Sequence, residues 1–244
     1  MPESAHGRKQ WLAAMNIGVR RQFMMVLALA ALSVAAQVGP SPAEVAAYSG
    51  LHAAAQRGDV NNIQRLAAAS PAALAARDSQ GRSPVHVATF ARQRGALKAL
   101  VAAGADLGLL ENDRYDAVTI AAVADDEETL RTLLALGASA RLVTSRYDGT
   151  ALIAAAHLGH DGVVRQLIAA GAPLDHVNNL HWTAAIEAVV LGDGGPRHQA
   201  TLNALIAAKA NLQLTDRSGR TPLALARERG YTAMQRLLEA AGAR

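Results

Sequence analysis

The 244-residue sequence contains no cysteine. Without cysteine the chain can form no disulfide, hold no metal through thiolate sulfur and carry no lipid on an N-terminal cysteine, as lipoproteins do. Aromatic residues make up only 3% of the chain, so large rings cannot fill a wide globular core. Alanine and leucine dominate instead, a composition that suits short helices stacked through small side chains.

The formal net charge of +4 is concentrated at one end of the chain. Four basic residues and Glu3 lie before Gln37 and account for +3 of it. Subtracting these from the 24 basic and 20 acidic residues leaves 20 and 19, so the rest of the chain is nearly neutral. A neutral body without a cluster of Arg and Lys lacks the footprint that neutralises phosphates, and we expect no binding to nucleic acid.

Residues 1–36 have the features of a secretory signal peptide. An apolar stretch at 23–36 follows the basic pair Arg20-Arg21 and ends in small residues ahead of Gln37. The stretch is shorter than the roughly 18 residues that a spanning helix needs, and two prolines follow at once. We predict export to the periplasm and no membrane anchor after signal removal, a retained anchor being the alternative. The Sec and twin-arginine routes, and a start at Met1 or Met15, both stay open.

A motif that is clearest at residues 216–230 recurs along the rest of the chain. A small closing pair such as Gly171-Ala172 repeats at intervals of 33, 34 or 38 residues, and so does the leucine of Thr221-Pro222-Leu223. Two independent markers therefore give one period. The counterparts of Leu223 are Leu51, Val85, Val118, Leu152 and Ala185.

This period resembles that of the ankyrin repeat, with Thr-Pro-Leu opening one helix and Leu-Leu or Leu-Ile before Gly-Ala closing a second. The resemblance is to exported bacterial ankyrin-repeat proteins and covers residues 49–244. It implies an all-α solenoid of about six repeats, each with two antiparallel helices and a β-hairpin-like loop. A linker and N-terminal cap at 37–48 precede repeats near 49–79, 80–112, 113–145, 146–178, 179–216 and 217–244.

No enzyme motif occurs in the sequence, which has no nucleophile elbow, no phosphate-cradling glycine loop and no His-Glu-x-x-His. We therefore predict no catalytic residue, no metal and no cofactor. The acidic run at 125–128 is interpreted as helix capping and solvation. The resemblance implies a structural role for His52 and His86, which occupy the histidine of the Thr-Pro-Leu-His element and would brace neighbouring loop backbone.

The fifth repeat is five residues longer than its neighbours, and we place the surplus in a loop at 191–199 that holds Asp193, Arg197 and His198. Insertions into repeats usually lie in loops, often on a functional face. As an alternative function, this loop could bind a metal ion or a small ligand through oxygen and nitrogen atoms. The candidate ligands are His157, His160, Asp161, Asp193 and His198.

Glu187 stands in a helix column that is otherwise apolar. A carboxylate in such a place needs a partner or a raised pKa. We predict that the inserted loop folds back and that Arg197 or His198 pairs with Glu187. The alternative is that Glu187 reaches solvent.

The resemblance implies a concave binding face made of hairpin tips and first helices. Tyr, Trp and Arg are the residue types that anchor protein interfaces. Phe90 and Leu158 would form an apolar strip beneath the tips, or would pack against the next repeat. We predict a non-catalytic scaffold or inhibitor of a periplasmic protein, which the resemblance implies is an enzyme such as a catalase, or a toxin. The predicted partner-binding residues are Arg82, Phe90, Tyr115, Arg146, Tyr147, Leu158, Trp182, Arg217 and Arg220.

Overall fold

The computed structural model describes residues 39–244, so the predicted signal peptide and the first two linker residues lie outside the described part. Residues 39–244 form 13 α-helices and a 3-10 turn at Pro71–Ala75. Over the described residues no strand forms beyond one antiparallel bridge between Thr144 and Gly149. The helices are α1 (Pro42–Ala47), α2 (Gly50–Arg57), α3 (Val60–Ala69), α4 (Pro84–Phe90), α5 (Arg94–Ala102), α6 (Ala117–Val123), α7 (Glu127–Ala135), α8 (Ala151–Leu158), α9 (Asp161–Ala169), α10 (Ala184–Val190), α11 (Pro196–Ala207), α12 (Pro222–Glu228) and α13 (Thr232–Ala240).

After the capping helix α1, the helices alternate between two layers. The even-numbered helices α2 to α12 open the repeats and pack on one another, and we call them inner helices. The odd-numbered helices α3 to α13 close the repeats and form a second row, the outer helices. Each inner helix also packs on the outer helix that follows it. This is the all-α stack of about six repeats that the sequence predicts.

The core follows the repeat period. Leu223 and its five counterparts are each at most 4% exposed, so the leucine marker of the repeat is a core position in every unit. The outer helices add fully buried leucines at Leu97, Leu130, Leu167 and Leu202. Burying one such side chain contributes about 1.5–3 kcal/mol, and the buried residues form one core that continues from repeat to repeat. Stacking on its neighbours therefore contributes to the stability of each unit.

The inner helices begin at a polar capping residue. The hydroxyl of Thr150 accepts a hydrogen bond from the Ile153 N–H at 3.3 Å, and other repeats use threonine in the same way. The third repeat lacks this threonine, and the carboxylate of Asp116 takes its place by accepting from the Thr119 N–H at 2.9 Å. Burial raises the pKa of Asp116. Capping by a carboxylate explains how α6 starts without the Thr-Pro pair.

The surplus of the fifth repeat is divided between a turn and a helix. Five residues separate α10 from α11, where other repeats have two or three, and α11 has 12 residues where other outer helices have 9 or 10. The helix begins early because Gly195 occupies the N-cap and Pro196 favours the first helical position. Asp193 lies in the turn, but Arg197 and His198 lie in the first turn of α11, so placing them in the loop was wrong.

Within residues 39–244, no helix is both long enough and apolar enough to cross a membrane.

Candidate functional site

Five hairpin tips, at residues 78–82, 111–115, 145–149, 178–182 and 216–220, precede the inner helices α4 to α12. The Asp78 carboxylate accepts hydrogen bonds from the N–H groups of Gln80 at 2.9 Å and Arg82 at 2.8 Å. The other four tips repeat this clamp from their first residue to the N–H groups two and four positions later. A side chain bonded to its own loop in this way fixes the loop conformation.

Adjacent tips are also bonded to one another through their backbones. The Asn112 N–H donates to the Gln80 carbonyl at 3.0 Å, and the Asn179 N–H donates to the Tyr147 carbonyl at 2.9 Å. The guanidinium of Arg217 continues the row by donating to the Asn179 carbonyl. The tips therefore form one connected surface along the stack.

The fourth position of the loop adopts a left-handed backbone conformation in every tip. The first and last tips use glycine there, Gly81 and Gly219, each with φ of 73°. The three central tips hold Arg114 (φ 67°), Asp148 (φ 51°) and His181 (φ 67°) in the same place. For a residue with a Cβ, this backbone conformation costs about 1–2 kcal/mol, and less for aspartate. All three side chains have accessible surface, with Arg114 at 50% and Asp148 at 48% exposed.

Three of the predicted partner-binding residues are buried. Arg82 is 3% exposed, donates to Asp78 at 2.7 Å and pairs with Glu44, while Tyr115 and Trp182 are each 7% exposed. Side chains buried to this degree offer no surface to a partner, so the prediction is wrong for these three. Tyr115 and Trp182 directly precede a helix N-cap, where an apolar side chain packs back onto the helix, so for these two the signal was present in the sequence.

The other six predicted residues keep accessible surface, and their contact with a partner stays a prediction. Arg146 and Arg217 are exposed. Arg220 is held by the Asp216 carboxylate at 2.6 Å. The half-buried members of the set are Phe90, Tyr147, Leu158 and Arg220.

His52 and His86 both contact the loop backbone of the next repeat. His52 Nε2 lies 2.8 Å from the Arg82 carbonyl oxygen. His86 Nδ1 accepts from the Ser83 N–H at 3.0 Å, so its proton is on Nε2, which donates to the Tyr115 carbonyl at 3.1 Å. Burial lowers the pKa of His86 to about 4, which keeps the ring neutral near pH 7.

Glu187 is only 4% exposed and has partners other than the predicted ones. Its Oε1 accepts a hydrogen bond from Asn178 Nδ2 at 2.9 Å, and its Oε2 lies 3.3 Å from His157 Nδ1. The predicted pairing with Arg197 or His198 is wrong, and so is the alternative that Glu187 reaches solvent. Asn178 occupies the clamp position that is acidic in three other tips, and only an amide there has an N–H left to donate.

Arg197 and His198 instead tie the inserted segment to earlier repeats. His198 Nε2 lies 2.9 Å from the His157 carbonyl oxygen, and Nδ1 lies 2.9 Å from Asp193 Oδ1. Arg197 Nη2 donates to Asp125 Oδ2 at 2.7 Å, which joins the fifth repeat to the third. We call Arg197 and His198, together with their partners Asp125, His157 and Asp193, the clasp. Its contacts cross the turns between inner and outer helices, away from the hairpin tips.

The proposed metal ligands do not converge. No group of three or more His, Asp or Glu side chains in residues 39–244 is arranged to hold a metal ion. His160 Nδ1 lies 2.9 Å from the Ala122 carbonyl oxygen, and Asp161 binds Arg165 at 2.6 Å. The geometry therefore does not support the alternative of a metal site at the insertion. In the nearby acidic run, Asp126 caps α7, in agreement with the capping interpretation.

The fold can be compared with known proteins. A family model described as ankyrin repeats (3 copies) matches residues 118–216. The ankyrin repeat protein YahD of Escherichia coli strain K12 is 35% identical over 191 residues, which cover 78% of this chain and 94% of YahD. The chain belongs to the ankyrin-repeat family. Its repeats are accordingly a scaffold for protein–protein interaction.

Solved structures agree with this assignment. An ankyrin repeat domain from Acinetobacter baumannii AYE is 41% identical, with a TM-score of 0.73 over 80% of this chain and 98% of that domain. A chain from the complex of a predatory endopeptidase of Bdellovibrio bacteriovorus with an immunity protein is 22% identical, with a TM-score of 0.61 over 79% of this chain and 98% of that one. The second likeness shows the fold alone.

Proposed function

We propose that the protein is a non-catalytic scaffold or inhibitor that acts in the periplasm. Its partner protein binds the face that family members use, formed by the hairpin tips and the inner helices. The observation that carries this proposal is the set of three left-handed residues, Arg114, Asp148 and His181, on adjacent tips. Glycine at these positions would avoid the backbone strain, as it does at the first and last tips. Backbone strain that is retained at exposed residues on three adjacent tips points to a role outside folding.

The tips have the rigidity that recognition requires. The clamps within the tips and the backbone bonds between them hold the loops in one arrangement before a partner arrives. A surface that is already ordered loses less conformational entropy when a partner binds. This supports rigid presentation of side chains, without a chemical step, as the mechanism.

The periplasmic location rests on residues 1–36. We expect the exported protein to begin at Gln37, and cell fractionation followed by N-terminal sequencing measures this directly. Recovery of the chain only in the cytoplasm, with its leader intact, would refute the location but leave the binding role untouched. The resemblance favours a periplasmic enzyme such as a catalase, or a toxin, as the partner.

The binding role is tested by removing the three tip side chains together. Purified exported protein captures its partner from periplasmic extract, and the variant with Arg114→Gly, Asp148→Gly and His181→Gly is expected to lose it. Because glycine relieves the strain, the variant should keep its thermal stability while losing binding.

Lys209→Gly is the matched control. Lys209 also has a left-handed backbone, with φ of 67°, but it lies at the end of α11, away from the tips. We expect this variant to gain up to about 1 kcal/mol of stability and to bind as the wild type does. Full capture by the triple variant would show that the tips are not the binding face.

A further inference from the structure

Two ion pairs run in opposite directions between the tips of the third and fourth repeats. Arg114 Nη1 lies 3.1 Å from Asp148 Oδ1, and Arg146 pairs with Asp113. Each pair joins a cation on one tip to an anion on the next, so the signs alternate across the surface. Arg146 is 61% exposed, and about half of the Arg114 and Asp148 side-chain surface is accessible. We call these four residues the tip charge pattern.

The tip charge pattern has no adequate explanation in stability. An exposed ion pair contributes little to stability. The left-handed backbone is strained at Arg114, and less so at Asp148 because an aspartate side chain tolerates this conformation. Their pairing therefore does not offset the strain of placing them there. What the pairs do achieve is orientation, because each charge holds its partner side chain in one direction before binding.

The same tips offer little apolar surface. Tyr115 and Trp182 are buried, and Tyr147 and Leu180 are half-buried. In the described part of the chain, the large hydrophobic side chains that are exposed are Val143 and Val177, each of which lies just before a tip. Apolar peptides and amphipathic helices bind through hydrophobic grooves or pockets. The tips are instead suited to a polar partner surface.

We propose that the partner is a folded protein whose surface charges are complementary to the tip charge pattern. A carboxylate of the partner faces each arginine, and a cation of the partner faces each aspartate. Complementary charges of this kind select the partner and fix its register, since like charges brought together repel strongly. This inference rests on the proposed function and adds the chemistry of the partner.

Reversing one pair tests the inference without removing any charge. The variant Arg114→Asp with Asp148→Arg keeps the net charge and an ion pair between the same tips, but inverts their order. The structure already holds an arginine and an aspartate in this left-handed position, so both new residues fit the backbone. The probe is the set of periplasmic proteins that the wild-type exported chain captures, with the dissociation constant measured at low and high salt.

We expect the reversed variant to bind at least about tenfold more weakly, and wild-type binding to weaken as salt rises. The matched control is Arg94→Glu with Glu128→Arg, which reverses an exposed pair of 2.8 Å between outer helices and should bind normally. Reversal of the second tip pair, Asp113→Arg with Arg146→Asp, repeats the test should the first variant not fold.

Wild-type affinity in a reversed variant that folds, or an equal loss in the outer-helix control, overturns the inference. Binding that does not respond to salt also overturns it. Failure of the wild type to capture any protein is a different result, since it refutes the proposed function itself.

Discussion

The hairpin tips and the turns between inner and outer helices lie at opposite ends of the inner helices, and they are held by different interactions. At the tips, buried groups such as Asp216, His86 and Asn178 make hydrogen bonds to loop backbone. At the turns, exposed ion pairs predominate, as between Arg197 and Asp125, which are 55% and 34% exposed. A buried polar group left without a partner costs about 1–3 kcal/mol, whereas an exposed ion pair is worth about 0–1 kcal/mol. Substitutions of the buried tip groups should therefore matter more for stability than substitutions of the exposed pairs at the turns.

The largest effect we expect is a loss of stability at acid pH caused by His86. Its pKa falls from 6.5 to about 4 on folding because the ring is buried, so the unfolded chain binds the proton more readily. The contribution is fully present above pH 6.5 and is lost as pH falls from 6.5 to about 4. Over this window it amounts to about 3 kcal/mol of unfolding free energy, measurable by denaturant titration.

The variant His86→Gln isolates this contribution from that of the carboxylates. Glutamine does not titrate, so the variant should be less stable than the wild type at pH 7 and should lose less on acidification. Equal losses in the two proteins would show that the His86 ring does not govern the acid response.

The second effect concerns the buried carboxylate of Glu187. Glu187→Ala leaves Asn178 Nδ2 without its acceptor and removes the carboxylate that lies 3.3 Å from His157 Nδ1, and we expect a loss of about 2 kcal/mol in the free energy of unfolding. Asn178→Asp is a more specific test of the same hydrogen bond. An aspartate keeps the tip clamp but places a second carboxylate against Glu187. If Asn178→Asp is as stable as the wild type at pH 7, the hydrogen bond to Glu187 is not what holds this site.

Sequence periodicity predicted the stack because the leucine marker is a local feature that every repeat must bury. Periodicity alone did not show which tip residues are exposed, although the position of Tyr115 and Trp182 just before an N-cap was a signal that they are buried. The repeat period also places Arg114, Asp148 and His181 opposite Gly81 and Gly219, but the meaning of this replacement required the observed φ angles. The partner of Glu187 was not predicted because a carboxylate suggests a cationic partner, such as Arg197 or His198. Asn178 is neutral and lies nine residues earlier in the chain.

The smallest effect we expect is at the clasp, although it joins repeats that are not neighbours. Contacts in repeat proteins normally link adjacent units, and Arg197 reaches past the fourth repeat to Asp125. Both side chains are partly exposed, so Arg197→Ala should cost about 0.5 kcal/mol, and a double-mutant cycle with Asp125→Ala should give a coupling of similar size. Arg165→Ala, which removes an exposed pair within α9, is the control. A coupling energy above about 2 kcal/mol would contradict the difference between tips and turns. It would mean that an exposed ion pair contributes as much to stability as a buried one.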